Sequence, residues 1–268
     1  SMDQLQAIDT VMNNRLVCLN GGPGVGKTTI IKTLLDVLEG IGCEVDLIAP
    51  TGRAAQRMSE TTGRMALTIH RYIFGNGGFK DFIAPGKIII VDECSMIDLK
   101  LFNALINGIN SSTHIIFVGD YNQLPPVGVG DIFRNLVQEE SVPTAKLSTV
   151  FRQGKGSPIL KFIHSINACE TPVITRATKA EDLNEDCVLL DYKDKAIRTP
   201  KLVSLYKRII ETGEEVQIIT CKRDGDLGVN NINLAIQAEM NPPQVGLNEF
   251  KRGNLTLREG DRVIQTKN

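Results

Sequence analysis

The amino-acid sequence predicts an α/β fold: a parallel sheet with helices on both faces, followed by a second, smaller α/β unit. Three observations carry this. Short β-branched runs alternate with helical patterns through the first 150 residues. Each run leads into a loop bearing Gly, Pro, Thr or Asp, and ligands of parallel sheets gather at that carboxyl edge. With 268 residues, 42% of them hydrophobic and 23% charged, the chain can bury a core without staples.

In chain order, strands are expected over 15–20, 44–49, 87–92 and 113–118. The run Ile88-Ile-Ile-Val91 is apolar throughout, as a central strand covered on both faces must be. A helix is expected over 27–38, directly after the first strand. The first domain is placed at 1–147 and the second at 148–268. The second carries helices at 157–167 and near 200–212 and 228–239, with strands at 187–190 and 216–221.

Composition excludes several classes. No apolar run approaches the roughly 18 residues of a membrane span. No basic-then-apolar leader opens the chain, and Ser1-Met2 resembles the remnant of a removed tag. The six cysteines (18, 43, 94, 169, 187, 221) include no C-x-x-C pair for zinc. Several sit in apolar runs as free thiols, so a cytoplasmic location is expected. Basic and acidic residues number 12 and 15 up to position 150, and 18 and 16 beyond it. Bulk charge therefore announces no nucleic-acid partner, and only local clusters could.

Three motifs carry chemistry. Gly21-Gly-Pro-Gly-Val-Gly-Lys-Thr28 fits G-x-x-x-x-G-K-[ST] between an expected strand and helix. Backbone N–H groups of Gly22, Pro23-flanked Gly24, Val25 and Gly26, with Thr28 and Thr29 at the helix start, would cradle phosphates. Lys27 would reach the β- and γ-phosphates of ATP, and the Thr28 hydroxyl would ligate Mg²⁺. Asp92 and Glu93 close the buried strand; Asp92 would hold the Mg²⁺ shell, and Glu93 would deprotonate the attacking water. Gly119-Asp-Tyr-Asn-Gln-Leu-Pro-Pro-Val127 ends the next strand. There Gln123 is either a surface residue or a sensor of the γ-phosphate, and Pro125-Pro126 would stiffen its loop.

Between the phosphate loop and the carboxylates lie Ala49-Pro-Thr-Gly-Arg-Ala-Ala-Gln-Arg57 and Thr68-Ile-His-Arg71. From Arg53 to Arg71 there are four arginines and one acid, Glu60. This suits phosphodiester contacts and equally suits a solvated basic helix face.

Taken in order, these motifs resemble the RecD-type helicases, the RecD/TraA branch of superfamily 1 that moves 5′→3′ on DNA. Gln4-Leu-Gln-Ala7, Val91-Asp-Glu-Cys-Ser-Met96, Val150-Phe-Arg-Gln153, Thr220-Cys-Lys-Arg-Asp-Gly-Asp-Leu-Gly-Val-Asn-Asn231 and Gly260-Asp-Arg-Val-Ile-Gln-Thr-Lys267 extend the likeness over nearly the whole chain. The resemblance implies a RecA-like domain followed by a partial second one. It implies that Gln4 reads adenine and that Pro50, Thr51, Arg53, Thr68, His70 and Arg71 line a single-strand DNA track. A short hairpin around 72–86 would help split the duplex, and Arg152 would act as an arginine finger. It further implies a 5′ overhang or fork as substrate and protein partners in repair, recombination or conjugation. The family's small barrel and later motifs have no counterpart before Asn268, so the expectation is a fragment that binds ATP and DNA without unwinding alone. The competing classes are a small-molecule kinase and a nucleotide-switch ATPase acting as a binding module.

Overall fold

Alternation of apolar side chains, two residues per period, sorts the first unit into a sheet with two dry faces. The computed structural model describes residues 1–75, 87–149, 157–177, 186–246, 248–253 and 255–263. They divide into two units, Ser1–Ser157 and Pro158–Asn268. In the first, β1 (Leu16–Gly21), β2 (Val45–Ala49), β3 (Ala66–Thr68), β4 (Ile88–Val91), β5 (His114–Gly119) and β6 (Thr144–Leu147) run in the order β3-β2-β4-β5-β1-β6. Every pairing is parallel, with Ile89 of β4 and Leu16 of β1 both beside Ile115 of β5. All four expected strands are present within a residue or two.

Val17, Leu19, Ile88, Ile90, Ile116 and Val118 enter one core; Cys18, Ile89, Val91, Ile115 and Phe117 enter the other. Onto the first face pack α1 (Met2–Asn13), α2 (Lys27–Gly40) and α3 (Gly52–Thr62), through Ala7, Val11, Met58 and the α2 stripe Ile30, Ile31, Leu34, Leu35, Leu38. That spacing is one face of a 3.6-residue helix, and each fully buried side chain contributes about 1.5–3 kcal/mol. Onto the second face pack α4 (Ile69–Phe74), α5 (Leu99–Gly108) and α6 (Ile132–Gln138), through Ile69, Tyr72, Leu105 and Phe133. The edge strands β3 and β6 have three and four residues, too short to show a period in the sequence.

The second unit holds α7 (Pro158–Asn167), a parallel pair β7 (Thr175–Ala177) and β8 (Val188–Leu190), α8 (Arg198–Glu211), α9 (Val229–Met240), and an antiparallel hairpin β9 (Glu249–Arg252) and β10 (Leu255–Arg258). The strand expected over 216–221 is not formed. Residues 214–220 have no regular structure, and Ile219 is 89% exposed. A strand exists only by hydrogen-bonding to a neighbour, and no described strand pairs with this run. Instead it borders a cavity of about 500 Å³ lined by Leu202, Leu205, Ile218, Cys221 and Ile232. No described helix is long and apolar enough to cross a membrane.

Gly21 ends β1 where a side chain has no room. A Cβ there would lie 2.6 Å from Val25 Cγ2 and 2.9 Å from Leu147 Cβ, whereas one on Gly22 meets nothing within 4 Å. Gly21→Ala should therefore destabilise the chain by about 1–3 kcal/mol, and Gly22→Ala by no more than about 0.5 kcal/mol. Urea unfolding of the two variants checks the contrast; equal losses would mean that β1 and β6 are not packed this closely.

Candidate active site

The sheet buries both faces, so its polar residues collect at the carboxyl ends of the strands. At the end of β1 the chain turns through Gly22 to Gly26 and enters α2 at Lys27. Gly24 (φ 77°) and Gly26 (φ 82°) adopt the left-handed conformation, which costs a residue with a Cβ roughly 1–2 kcal/mol. The first N–H groups of α2 have no partner within the helix and face the loop, an arrangement suited to an anion. Lys27 Nζ donates to the carbonyls of Gly21 (2.7 Å) and Gly22 (3.0 Å). Its ammonium is therefore held at the loop before any ligand arrives. Thr28 and Thr29 follow on the first turn of α2.

Two strands away, β4 delivers Asp92 and Glu93. Burial first, and then the charge of Glu93, push the Asp92 carboxyl up to about 6. The Glu93 N–H, which donates to Asp92 Oδ1 at 2.9 Å, and the positive charges of Lys27 and Arg57 oppose this. Among the described residues no cation lies within ion-pair distance of Asp92. A half-buried carboxylate with no ion-pair partner among the described residues, within electrostatic range of Lys27, fits a site that receives a cation together with phosphate. No three His, Cys, Asp or Glu side chains converge among the described residues, so phosphate and water would complete the shell, as Mg²⁺ sites commonly require. Glu93 itself sits at φ 53°, ψ 41°, rare for a residue with a side chain and a mark of a constrained turn. The turn is held by Met96 N–H donating to Glu93 O (3.0 Å) and by Cys94 Sγ donating to Val91 O (3.0 Å).

Between these two strands, β5 leads into the loop of Gln123. Asn20 Oδ1, at the end of β1, accepts the Tyr121 N–H at 3.1 Å, and Gln123 N–H donates to Asp120 O at 3.1 Å. Farther along, Leu99 N–H donates to Val129 O at 2.8 Å. The loop is anchored at both ends. The Gln123 side chain accepts a hydrogen bond from Ser95 at 3.0 Å. Neither Asn20 nor Ser95 was singled out from the sequence, although Ser95 lies within Val91-Asp-Glu-Cys-Ser-Met96.

Gln4 lies on the first turn of α1, where its Oε1 accepts from the Ser1 amino group at 3.1 Å. Its neighbour Asp3, also not foreseen, accepts the N–H groups of Ser148 and Thr149 at 2.9 Å each, just past β6. The Ser1 hydroxyl first, then the Thr149 N–H, hold the Asp3 carboxyl below the usual carboxylate range. These bonds fasten the α1 start, and Gln4 with it, to the strand beside β1.

The basic stretch occupies the other end of the same edge, after β2 and β3. Thr51 Oγ1 caps α3 by accepting Ala54 N–H (3.2 Å), and Thr68 Oγ1 caps α4 by accepting Arg71 N–H (3.1 Å). Each hydroxyl keeps a hydrogen to donate. Arg53, Arg57, His70 and Arg71 are exposed, and Pro50 is half-buried beside them. Arg64 leaves the cluster, because it forms a bidentate pair with Glu39 at 3.0 and 2.6 Å. Phe74 joins it: 68% exposed, its ring centroid lies 6.4 Å from that of His70. The sequence hid Phe74 inside the expected hairpin of 72–86. Tyr72, Ile73 and Phe74 instead belong to α4, with Tyr72 buried and its hydroxyl donating to Asp46 Oδ2 at 2.7 Å. Residues 76–86 lie outside the described residues, as does Arg152.

Across the edge, then, the basic stretch, the carboxylates, the Gln123 loop and the phosphate loop follow the strand order from β3 to β1. The family described as an AAA domain matches residues 1–185. Over its whole length the chain is 38% identical to the ATP-dependent RecD2 DNA helicase of Deinococcus radiodurans, spanning 36% of that protein. It is 27% identical, over 88% of its length, to the RecBCD enzyme subunit RecD of Mycobacterium tuberculosis, spanning 48% of that subunit. The chain thus spans about a third to a half of the length of these curated relatives.

The raised Asp92 value makes a stability prediction. Its folded value of about 6 exceeds the ordinary 3.8, so the neutral acid favours folding. That contribution is full below pH 3.8 and is lost as pH rises through about 6. Asp92→Asn stays neutral throughout, so without ligand it should exceed the wild type at pH 8 by on the order of 2 kcal/mol and match it near pH 4. Urea unfolding at both pH values measures this; equal stability at pH 8 would show that Asp92 is not desolvated.

Proposed function

We propose that this chain, which belongs to the family described as an AAA domain and is similar over its length to RecD2, is the ATP-hydrolysing motor of a RecD-type superfamily 1 helicase that moves 5′→3′ on DNA. The observation that carries the reading is the shared sheet edge of Lys27, Asp92, Glu93 and Gln123, which follow the adjoining strands β1, β4 and β5. In this reading the loop from Gly22 to Gly26 and the first turn of α2 bind the phosphates of ATP through backbone N–H groups. Lys27 exchanges its two loop carbonyls for β- and γ-phosphate oxygens. Thr28 and Asp92 would hold Mg²⁺, which would offset the charge that builds on the phosphates during transfer. Glu93, set by its left-handed turn, takes the proton of the attacking water. Gln4, fixed through Asp3, meets the adenine edge.

Arg53, Arg57, His70 and Arg71, with Pro50 and the Thr51 and Thr68 hydroxyls, would follow the backbone of single-stranded DNA. Phosphate contacts of this kind position a strand without reading its sequence. Phe74 offers a flat apolar ring on which a base can stack. A 5′ overhang or fork, partners in a repair or recombination complex, and a cytoplasmic setting complete the proposal. The last accords with six free cysteines. A nucleotide switch that recruits partners would share the phosphate loop but not the basic track.

Nucleotide turnover, nucleotide binding and DNA affinity test this. Lys27→Ala should lower ATP turnover at least a hundredfold while the chain still folds, as circular dichroism would show, because the side chain fills no core volume. Glu93→Gln should keep ATP binding and lose turnover; a parallel loss of binding would make Glu93 a ligand instead of the base. Single-stranded DNA should accelerate hydrolysis, and its affinity should fall with salt at a slope of roughly −0.7 per phosphate contacted. Arg53→Ala should reduce that slope by about one contact for any base sequence. Indifference of the ATPase to DNA would favour the switch.

A further inference from the structure

Ser95 is 4% exposed and lies on the 3₁₀ turn Cys94–Met96, immediately after the two carboxylates. The left-handed Glu93 reverses the chain there. Cys94 turns inward to Val91 O, and the Ser95 hydroxyl meets Gln123 Oε1 at 3.0 Å. The Nε2 of the same amide has no hydrogen-bond partner among the described residues, and Gln123 is otherwise exposed. An amide presents an acceptor at one end and two donors at the other, whereas a carbonyl oxygen can be met only by a donor. The Ser95 hydroxyl must therefore donate, and it holds the oxygen of Gln123 against the turn. The NH₂ end is left free to donate to a ligand. Because β5 lies between β4 and β1, the loop that carries Gln123 follows a strand flanked by those that lead to the carboxylates and to the phosphate loop.

We propose that Ser95 is a positioning residue that orients Gln123 as a hydrogen-bond donor to the terminal phosphate of a bound nucleoside triphosphate. This rests on the nucleotide reading above. What it adds to the γ-phosphate-sensing role read for Gln123 is the residue that sets the amide: Ser95 holds the oxygen, so the NH₂ end is the one that meets the anion. The pair also joins the strand that bears the carboxylates to the loop of the next strand. Removal of the third phosphate thus releases a group hydrogen-bonded to the turn of Glu93.

The test is a fluorescence titration of the chain with N-methylanthraniloyl-ATP and -ADP in the presence of Mg²⁺. Ser95→Ala should weaken ATP-analogue binding about fivefold to tenfold, the scale of one hydrogen bond, and leave the ADP analogue unchanged. Ser95→Thr, which keeps the hydroxyl, should restore it. Gln123→Ala should show the same selective loss, and the double variant no more than either single one. Gln123→Glu should bind the ATP analogue more weakly than Gln123→Ala, because it sets a carboxylate against phosphate. Gln123 is exposed, so its variants read the proposal even if Ser95→Ala fails to fold. Equal weakening of both nucleotides by Ser95→Ala, additive losses in the double variant, or tighter binding by Gln123→Glu would each overturn the proposal. A wild-type chain that bound neither analogue would overturn the nucleotide reading, and this inference with it.

Discussion

A parallel sheet covered on both faces can hold no unpaired polar side chain along its strands, and the rest of the first unit follows from that constraint. Ile88–Val91 and Ile115–Val118 are apolar at every position because one face meets α1 to α3 and the other meets α4 to α6. Polarity begins where the hydrogen-bonded ladder stops. Asp92 and Asp120 therefore sit one residue beyond β4 and β5, and the phosphate loop begins where β1 ends. The site is where the core runs out.

Close packing then sets how these loops are held. Val25 fills the space above Gly21, against Leu147 of β6, so the glycine-rich loop rests on the core and not in solvent. Adjacent edge loops bind one another through single polar side chains: Asn20 to Tyr121, Ser95 to Gln123, and Asp3 to Ser148 and Thr149. None of these bonds is individually strong, at roughly 1 kcal/mol net each. Their effect is geometric, since each fixes the approach of one loop to its neighbour. Asp92 shows the electrostatic cost of the arrangement: its burial opposes the charge that a cation would need. A site whose apo form is less stable than it could be is a common consequence of binding an ion there.

The second unit shows what happens when the same ingredients lack a large sheet. Among its described residues few apolar side chains are buried, Ala177, Val203 and Ile232 among them. Its described strands form two separate pairs. The apolar run of 216–221 consequently remains an irregular segment along a cavity, with Ile219 exposed. Strand propensity alone does not order a backbone without an edge to bond.

Much of the first unit was legible from residue order. Short apolar, β-branched runs located β1, β2, β4 and β5, the glycine-rich motif located the start of α2, and the carboxylates after an apolar run located the centre of the site. These features depend on neighbours within a few residues, and local chemistry suffices to read them. The partners of those residues were not legible. Asp3 and Thr149 are 146 positions apart, Asn20 and Tyr121 are 101, and Ser95 and Gln123 are 28; only the strand order β5-β1-β6 and β4-β5 brings them together. Arg64 counted as part of a basic cluster until α2 supplied Glu39, and Phe74 counted as hairpin until α4 placed it beside His70. The residues alone determined which groups can bind phosphate, hold a cation or move a proton. The tertiary structure decided which of those groups meet and which are already neutralised, because hydrogen bonds and ion pairs depend on distance in space and not along the chain.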